Sequence, residues 1–142
     1  MSELFLLARI AGRDVAIRSD QVESVVDIGE VVPVPMASEH VRGLAALRSR
    51  VVTVIDPAVS LGVERRSGEA RRAVITRAEG HHYAVLVETL DDVAPFDLQP
   101  LSAAMAPRGG WAAAAIGLID RGGAPVLALD VTRLLPGIAA AA

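Results

Sequence analysis

The sequence predicts an all-β fold with short helices, built as two small barrels packed together. Three observations predict it. Short aliphatic and β-branched runs recur along the 142 residues, bounded by breaks that contain Gly, Pro, Asp or Ser. The chain echoes itself: Val52-Thr53-Val54-Ile55-Asp56 and a short helix ending at Gly62 return as Val126-Leu127-Ala128-Leu129-Asp130 and a short helix ending near Gly137. Gly12 with Val15–Ile17, Val22 and Val25 likewise returns as Gly80 with Tyr83–Val87, Leu90 and Val93. Aromatic residues make up only 3% of the chain, so the cores are built from Val, Ile, Leu and Ala. Each half is near the lower limit for a stable core of its own, so the halves need a shared apolar interface.

The elements follow in order. Leu4–Ile10 reads as a buried strand, Ala11–Asp14 as a turn and Val15–Ile17 as its hairpin partner. Ser19-Asp20-Gln21 opens one helical turn with Ser19 as cap, and a strand follows from Val22 to Ile28. Pro33 and Pro35 mark an extended edge. Ser38–Arg42 reads as a short helix stopped by Gly43. Gly43–Arg48, a polar break and Val51–Ile55 read as strand, turn and strand. Val51, Val52, Thr53, Val54 and Ile55 are all β-branched, which predicts a strand buried on both faces. Asp56-Pro57 starts a helix, with Asp as N-cap and Pro at the first helical position, and Gly62 ends it.

Residues 64–71, rich in mixed charge around a central Gly, read as a solvated linker between halves 1–63 and 72–138 of a single domain. Ala73–Thr76 and Tyr83–Val87 form a hairpin around Gly80, and Leu90–Phe96 is the next strand. Residues 100–112 read as a long connection. Ala115–Ile119 and Pro125–Leu129 form a last hairpin, and Asp130 caps a short helix stopped by Pro136-Gly137. Residues 139–142 read as a frayed tail.

Composition narrows the function. The net charge is −3, and all fourteen basic residues are Arg. With two Phe, one Tyr and one Trp, the chain lacks the basic groove and stacking aromatics of a nucleic-acid site. It has no Cys, hence no disulfide or thiolate site, which fits a cytosolic protein. The start lacks the marks of a signal peptide. No apolar run approaches the roughly 18 residues of a membrane span.

No catalytic constellation is legible. The serines lack a nucleophile elbow, and no Walker loop or dinucleotide fingerprint occurs. His81-His82 is the best metal suspect, but neighbours in a strand point to opposite faces and cannot easily share one ion. Asp91-Asp92 reads as a solvated strand start and His40 as a helix-surface residue. The reading is a non-enzyme, with no metal and no cofactor.

The stretch Gly43–Pro57 carries a resemblance. Gly43, Leu44, Leu47, Arg48, Val51, Val54, Ile55 and Asp56 match the pattern Gly-apolar-x-Asn-Leu-Arg-Gly-x-apolar-x-Pro-apolar-apolar-Asp-Leu of the CheW-like domain family. Ala46, Ser49, Thr53 and Pro57 depart from it. The resemblance extends from Leu4 to Leu135. It implies two packed five-stranded SH3-like barrels and a chemotaxis adaptor at receptor arrays on the cytoplasmic face of the membrane, without insertion into it. Its implied partners are the regulatory domain of a chemotaxis histidine kinase and the tip of a chemoreceptor coiled coil. The family's matching Arg belongs to the coupling surface, so Arg48 is the first candidate. Gly43 matches a motif position and reads equally as a helix C-cap. Val22 and Val25 lie on the strand that borders the family's receptor groove, and read equally as core. Val93 has the same status in the second half. The rival readings are an adaptor of a non-flagellar chemosensory pathway and a small all-β hydrolase.

Overall fold

The computed structural model describes residues 2–35, 40–47, 50–62, 71–102 and 106–135. All of the expected linker 64–71 but Arg71, the tail 139–142 and the Arg48–Ser49 break lie outside them. Among the described residues there are ten strands: β1 (Glu3–Ile10), β2 (Arg13–Arg18), β3 (Ser24–Asp27), β4 (Val41–Leu47), β5 (Arg50–Ile55), β6 (Arg72–Ala78), β7 (His81–Val87), β8 (Thr89–Phe96), β9 (Ala115–Arg121) and β10 (Ala124–Leu129). Two short helices, α1 (Pro57–Leu61) and α2 (Gly110–Ala114), join them, with 3-10 turns at Ser19–Gln21 and Val131–Leu134.

The strands form two five-stranded sheets, ordered β8-β1-β2-β10-β9 and β3-β6-β7-β5-β4. The sheets do not follow the halves 1–63 and 72–138. The hairpin β1–β2 lies between strands of the second half, and β6–β7 lies between strands of the first. The chain crosses from one sheet to the other after β2 and again after β7. No ladder joins β3 to β4 or β8 to β9, so each sheet keeps an open side among the described residues.

Local chemistry explains the hairpins. Ala11 and Gly12 have φ of 52° and 79°, and Glu79 and Gly80 have 51° and 80°. Two successive positive φ values are the mark of the tight turn whose twist suits a hairpin. β8 contains Pro95, which is tolerated because β8 is an edge strand.

The echo is a register match. One row of paired residues runs Val25, Val74, Val85, Ile55, Val41 across one sheet. The matching row runs Val93, Leu6, Ile17, Leu129, Ala115 across the other. The buried members of these rows face the opposite sheet, in one shared cluster of Leu6, Ile17, Ile55, Val74, Val85 and Leu129 with α1, α2 and the final turn. Alternate residues face each sheet's own core. Val52, Val54, Ala73, Ile75, Ala84 and Leu86 fill one, and Phe5, Leu7, Ala16, Ile119 and Val126 the other. Strands such as β1 are therefore buried on both faces, which is why they read as unbroken apolar runs.

Several expectations are corrected. Val41 and Arg42 begin β4, and Gly43 lies within that strand, so it is no helix cap. Its φ is +148°, and a Cβ there would stand 2.3 Å from the Val32 carbonyl oxygen. The chain at Val32 bridges back to Leu44, and only a glycine lets it come so close. β5 is not covered on both faces throughout: Val51 is 63% exposed, while Val52, Val54 and Ile55 are buried. The connection 100–112 ends in α2, whose Gly110 packs on the α1 backbone at Ser60 and Leu61. Ser19 makes no side-chain cap. Asp56 and Asp130 do cap: each Oδ1 accepts a hydrogen bond from the backbone N–H two residues on, at 3.0 Å.

Candidate functional site

The site is built on the open side of the β3-β6-β7-β5-β4 sheet. β3 is short and, among the described residues, pairs only with β6. Across from it stands the β4–β5 hairpin, whose last and first residues, Leu47 and Arg50, flank Arg48 in sequence. Between them runs an open groove of about 570 Å³, lined by Glu23, Ser24, Val25, Val26, Leu47, Arg50, Val52 and Ile75. Val52 and Ile75 belong to the sheet's own core, so the groove reaches an apolar floor.

The charges sit at its rim. Glu23 Oε1 is 3.7 Å from Arg50 Nη1, and Glu23 Oε2 is 3.1 Å from His82 Nε2. His82 is 16% exposed at its side chain, and its Nε2 makes no well-formed hydrogen bond; the contact is a charge pair only when the ring is protonated. Further from the groove, the buried Asp56 holds Arg42 Nη1 at 3.6 Å.

The predicted site residues separate. Val25 lines the groove and is 39% exposed. Val22 is half-buried against the shared core between the sheets. Val93 is 51% exposed on β8 and holds the place in its sheet that Val25 holds in the other. The two valines thus mark the outer ends of the rows whose inner members pack between the sheets. Gly43 is taken up by the approach of Val32 and presents no side chain. Arg48 lies outside the described residues, but its neighbours in sequence bring the hairpin end to the groove.

Sequence reasoning missed Glu23, Arg50 and His82 as a group. Arg50 was visible at the polar break, but its pairing with Glu23, and the contact of Glu23 with His82, depend on the strand order β3-β6-β7-β5-β4, which has no local signal. His81 is exposed, and His82 alone turns toward Glu23. Asp91 Oδ2 stands 3.6 Å from Arg121 Nη1, and Asp92 Oδ1 accepts from the Val93 N–H at 2.8 Å; both are solvated, as a strand start should be. Among the described residues no cluster of three His, Asp or Glu side chains is placed to hold a metal. None of the described helices is long and apolar enough to cross a membrane.

No curated protein matches the chain. Among solved structures the chain is similar to the scaffolding protein TtCheW from Thermoanaerobacter tengcongensis, at 18% identity and a TM-score of 0.78, over 98% of this chain and 91% of that one. At that identity the likeness shows the fold: mostly strand, in two packed five-stranded sheets. The model of the CheW-like domain matches residues 4–139, nearly the whole chain. The chain therefore belongs to the CheW-like domain family, whose members are non-enzymatic scaffold and adaptor proteins of chemotaxis.

Proposed function

We propose that the protein couples chemoreceptors to the histidine kinase CheA within signalling arrays on the cytoplasmic face of the membrane. The observation that carries this reading is the match of the CheW-like domain over residues 4–139, together with the motif Gly43–Asp56 that it contains. The described surface supports it. An adaptor with two partners needs two faces, and the two sheets offer matched but chemically different open sides. Arg48, between two groove residues, is the anchor in this reading: a planar guanidinium binds carboxylates in a fork and is favoured at interface hot spots. Val25 and Val93 supply exposed apolar contacts, with Val22 behind them and Gly43 shaping the hairpin's base.

The experiment pairs thermal unfolding with assembly of a ternary complex from purified receptor fragment and kinase. Arg48→Glu should change stability by about 1 kcal/mol or less, as at ordinary surface sites. It should weaken complex formation by about 2 kcal/mol or more, the scale of a hot spot. Arg48→Lys should restore part of the binding, because an ammonium lacks the fork. Equal assembly by all three proteins removes Arg48 from the interface. Failure of the wild type to join either partner overturns the coupling role itself, and an adaptor of another chemosensory pathway becomes the better reading.

A further inference from the structure

An ion pair crosses the open side of each sheet. Glu23, just before the edge strand β3, holds its Oε1 3.7 Å from Nη1 of Arg50 on the β4–β5 hairpin. Asp91, in the edge strand β8, holds its Oδ2 3.6 Å from Nη1 of Arg121 on the β9–β10 hairpin. The carboxylates stand at matching places, two residues before Val25 and Val93. The arginines do not. Arg50 begins the second strand of its hairpin, where the other sheet has Ala124. Arg121 ends the first strand of its hairpin, where the other sheet has Leu47. The two sheets thus repeat the bridge while drawing its cation from opposite sides of the turn. The floors beneath repeat as well: Val52 and Ile75 in one sheet, Val126 and Leu7 at the matching places in the other, all buried. Glu23 also reaches His82 on β7 at 3.1 Å, so the two bridges are tested separately.

We propose that the two ion pairs are latches: each draws an edge strand to the facing hairpin over an apolar floor, and each opens and closes without unfolding its sheet. Their strength is suited to that. The four side chains are between 40% and 52% exposed, so the charges stay in water. An exposed pair of this kind shifts an equilibrium by about fivefold at most. β3 has four residues and, among the described residues, a ladder to β6 alone, so the latch is a large share of what holds it. Closed, the latch keeps the floor buried. Open, it offers Val52 and Ile75, or Val126 and Leu7, to an apolar side chain from outside. Salt screens exposed charges, so ionic strength sets how often either side is open. Use of the latches by a receptor or kinase rests on the coupling role proposed above; the latches themselves do not.

The first arm of the test needs no partner. Amide hydrogen exchange is followed along β3 and β8 in wild type, Glu23→Gln, Asp91→Asn and the reversed pair Asp91→Arg with Arg121→Asp. Glu23→Gln should speed exchange in β3 about two- to fivefold and leave β8 alone, and Asp91→Asn should do the converse. Molar salt should speed both strands of the wild type and add nothing to the strand whose latch is already neutral. The reversed pair should restore slow exchange in β8. Rates indifferent to salt and to both neutral variants, or a reversed pair as fast as Asp91→Asn, would overturn the proposal. The second arm uses the absence of Cys from the chain. Glu23→Cys with Arg50→Cys, and separately Asp91→Cys with Arg121→Cys, are bridged by a bis-methanethiosulfonate as long as the pair it replaces. Binding to receptor fragment and to kinase is compared before and after reductant removes the bridge. Each bridge should weaken one partner by about tenfold or more, reversibly. Failure to bridge, or equal binding with and without the bridge, would overturn the proposal. A wild type that joins neither partner counts against the coupling role alone, and the exchange rates then decide the latches.

Discussion

Gly43 and Gly62 both have positive φ, yet they should answer differently to a methyl group. At Gly62, the C-cap of α1, φ is 71° and a Cβ would meet open space. Gly62→Ala therefore costs only the left-handed conformation, about 1 kcal/mol. At Gly43 the Cβ would stand 2.3 Å from the Val32 oxygen and 2.7 Å from its carbonyl carbon. Backbone cannot step aside as a side chain can, so Gly43→Ala should cost about 2 kcal/mol or more. Urea denaturation of both variants, compared at unchanged m, reads the difference; equal losses would mean that the strand bulge at Gly43 absorbs the methyl group. Gly117 is its twin, with the Gln99 oxygen 2.4 Å from the same virtual atom. The sequence marked Gly43 as special, and of its two readings, helix stop and partner contact, the strand removes the helix stop. A glycine after a polar stretch reads alike as a helix stop and as a point of close approach, and which it is depends on a segment that returns from eleven residues away. Asp56 was legible because its cap is local: its partner is the N–H of Ala58.

At the scale of elements, the strands were legible where both of their faces are covered and blurred where only one is. β5 shows both cases. Its run of β-branched residues predicted full burial, but Val51 stands at the hairpin end, beyond the cover of the other sheet. Val54 lies further in, fully buried, between β7 on one side and β4 on the other. Val54→Asp would place a carboxylate among Val52, Ile75 and Ala84 with nothing to pair it. The variant should fail to fold, shown by loss of the strand signal in circular dichroism at any temperature. A soluble variant with a cooperative melt would mean that this core admits water. α2 was not legible. It is five residues long and starts at Gly109–Gly110, with no side-chain cap. Its sequence, a glycine, a tryptophan and three alanines, carries no helical period, and it is held by packing: Gly110 on α1, and Trp111 under Arg13 at 5.0 Å.

For the whole molecule, the internal echo revealed two similar units but not that they exchange hairpins. The exchange is nevertheless written in the side chains. The rows equate Leu6 with Val74 and Ile17 with Val85, so β1–β2 would have to replace β6–β7 if the first half closed on itself. Phe5 would then fall where Ala73 is, and Arg18 where Leu86 is. Ala73 and Leu86 are buried in their sheet's core, whereas Arg18 now reaches Glu3 at 3.0 Å on the surface. The unexchanged half would thus be overpacked by a phenyl ring and would bury an unpaired guanidinium, a combination that costs several kcal/mol. The crossing is fastened by Gln21, whose side-chain amide Nε2 donates to Asp130 at 2.8 Å while its backbone carbonyl accepts from the Thr76 hydroxyl, also at 2.8 Å. It follows that fragments 1–62 and 71–142 should not fold separately. In the first, β3 has lost β6 and the β5–β4 pair has lost β7; in the second, β8 has lost β1 and the β10–β9 pair has lost β2. Each fragment alone should melt without a cooperative transition, and an equimolar mixture should regain one, because the exchanged hairpins supply the missing strands in trans. A cooperative melt from fragment 1–62 alone would show that Phe5 and Arg18 can be accommodated and that the exchange is a convenience of the joined chain.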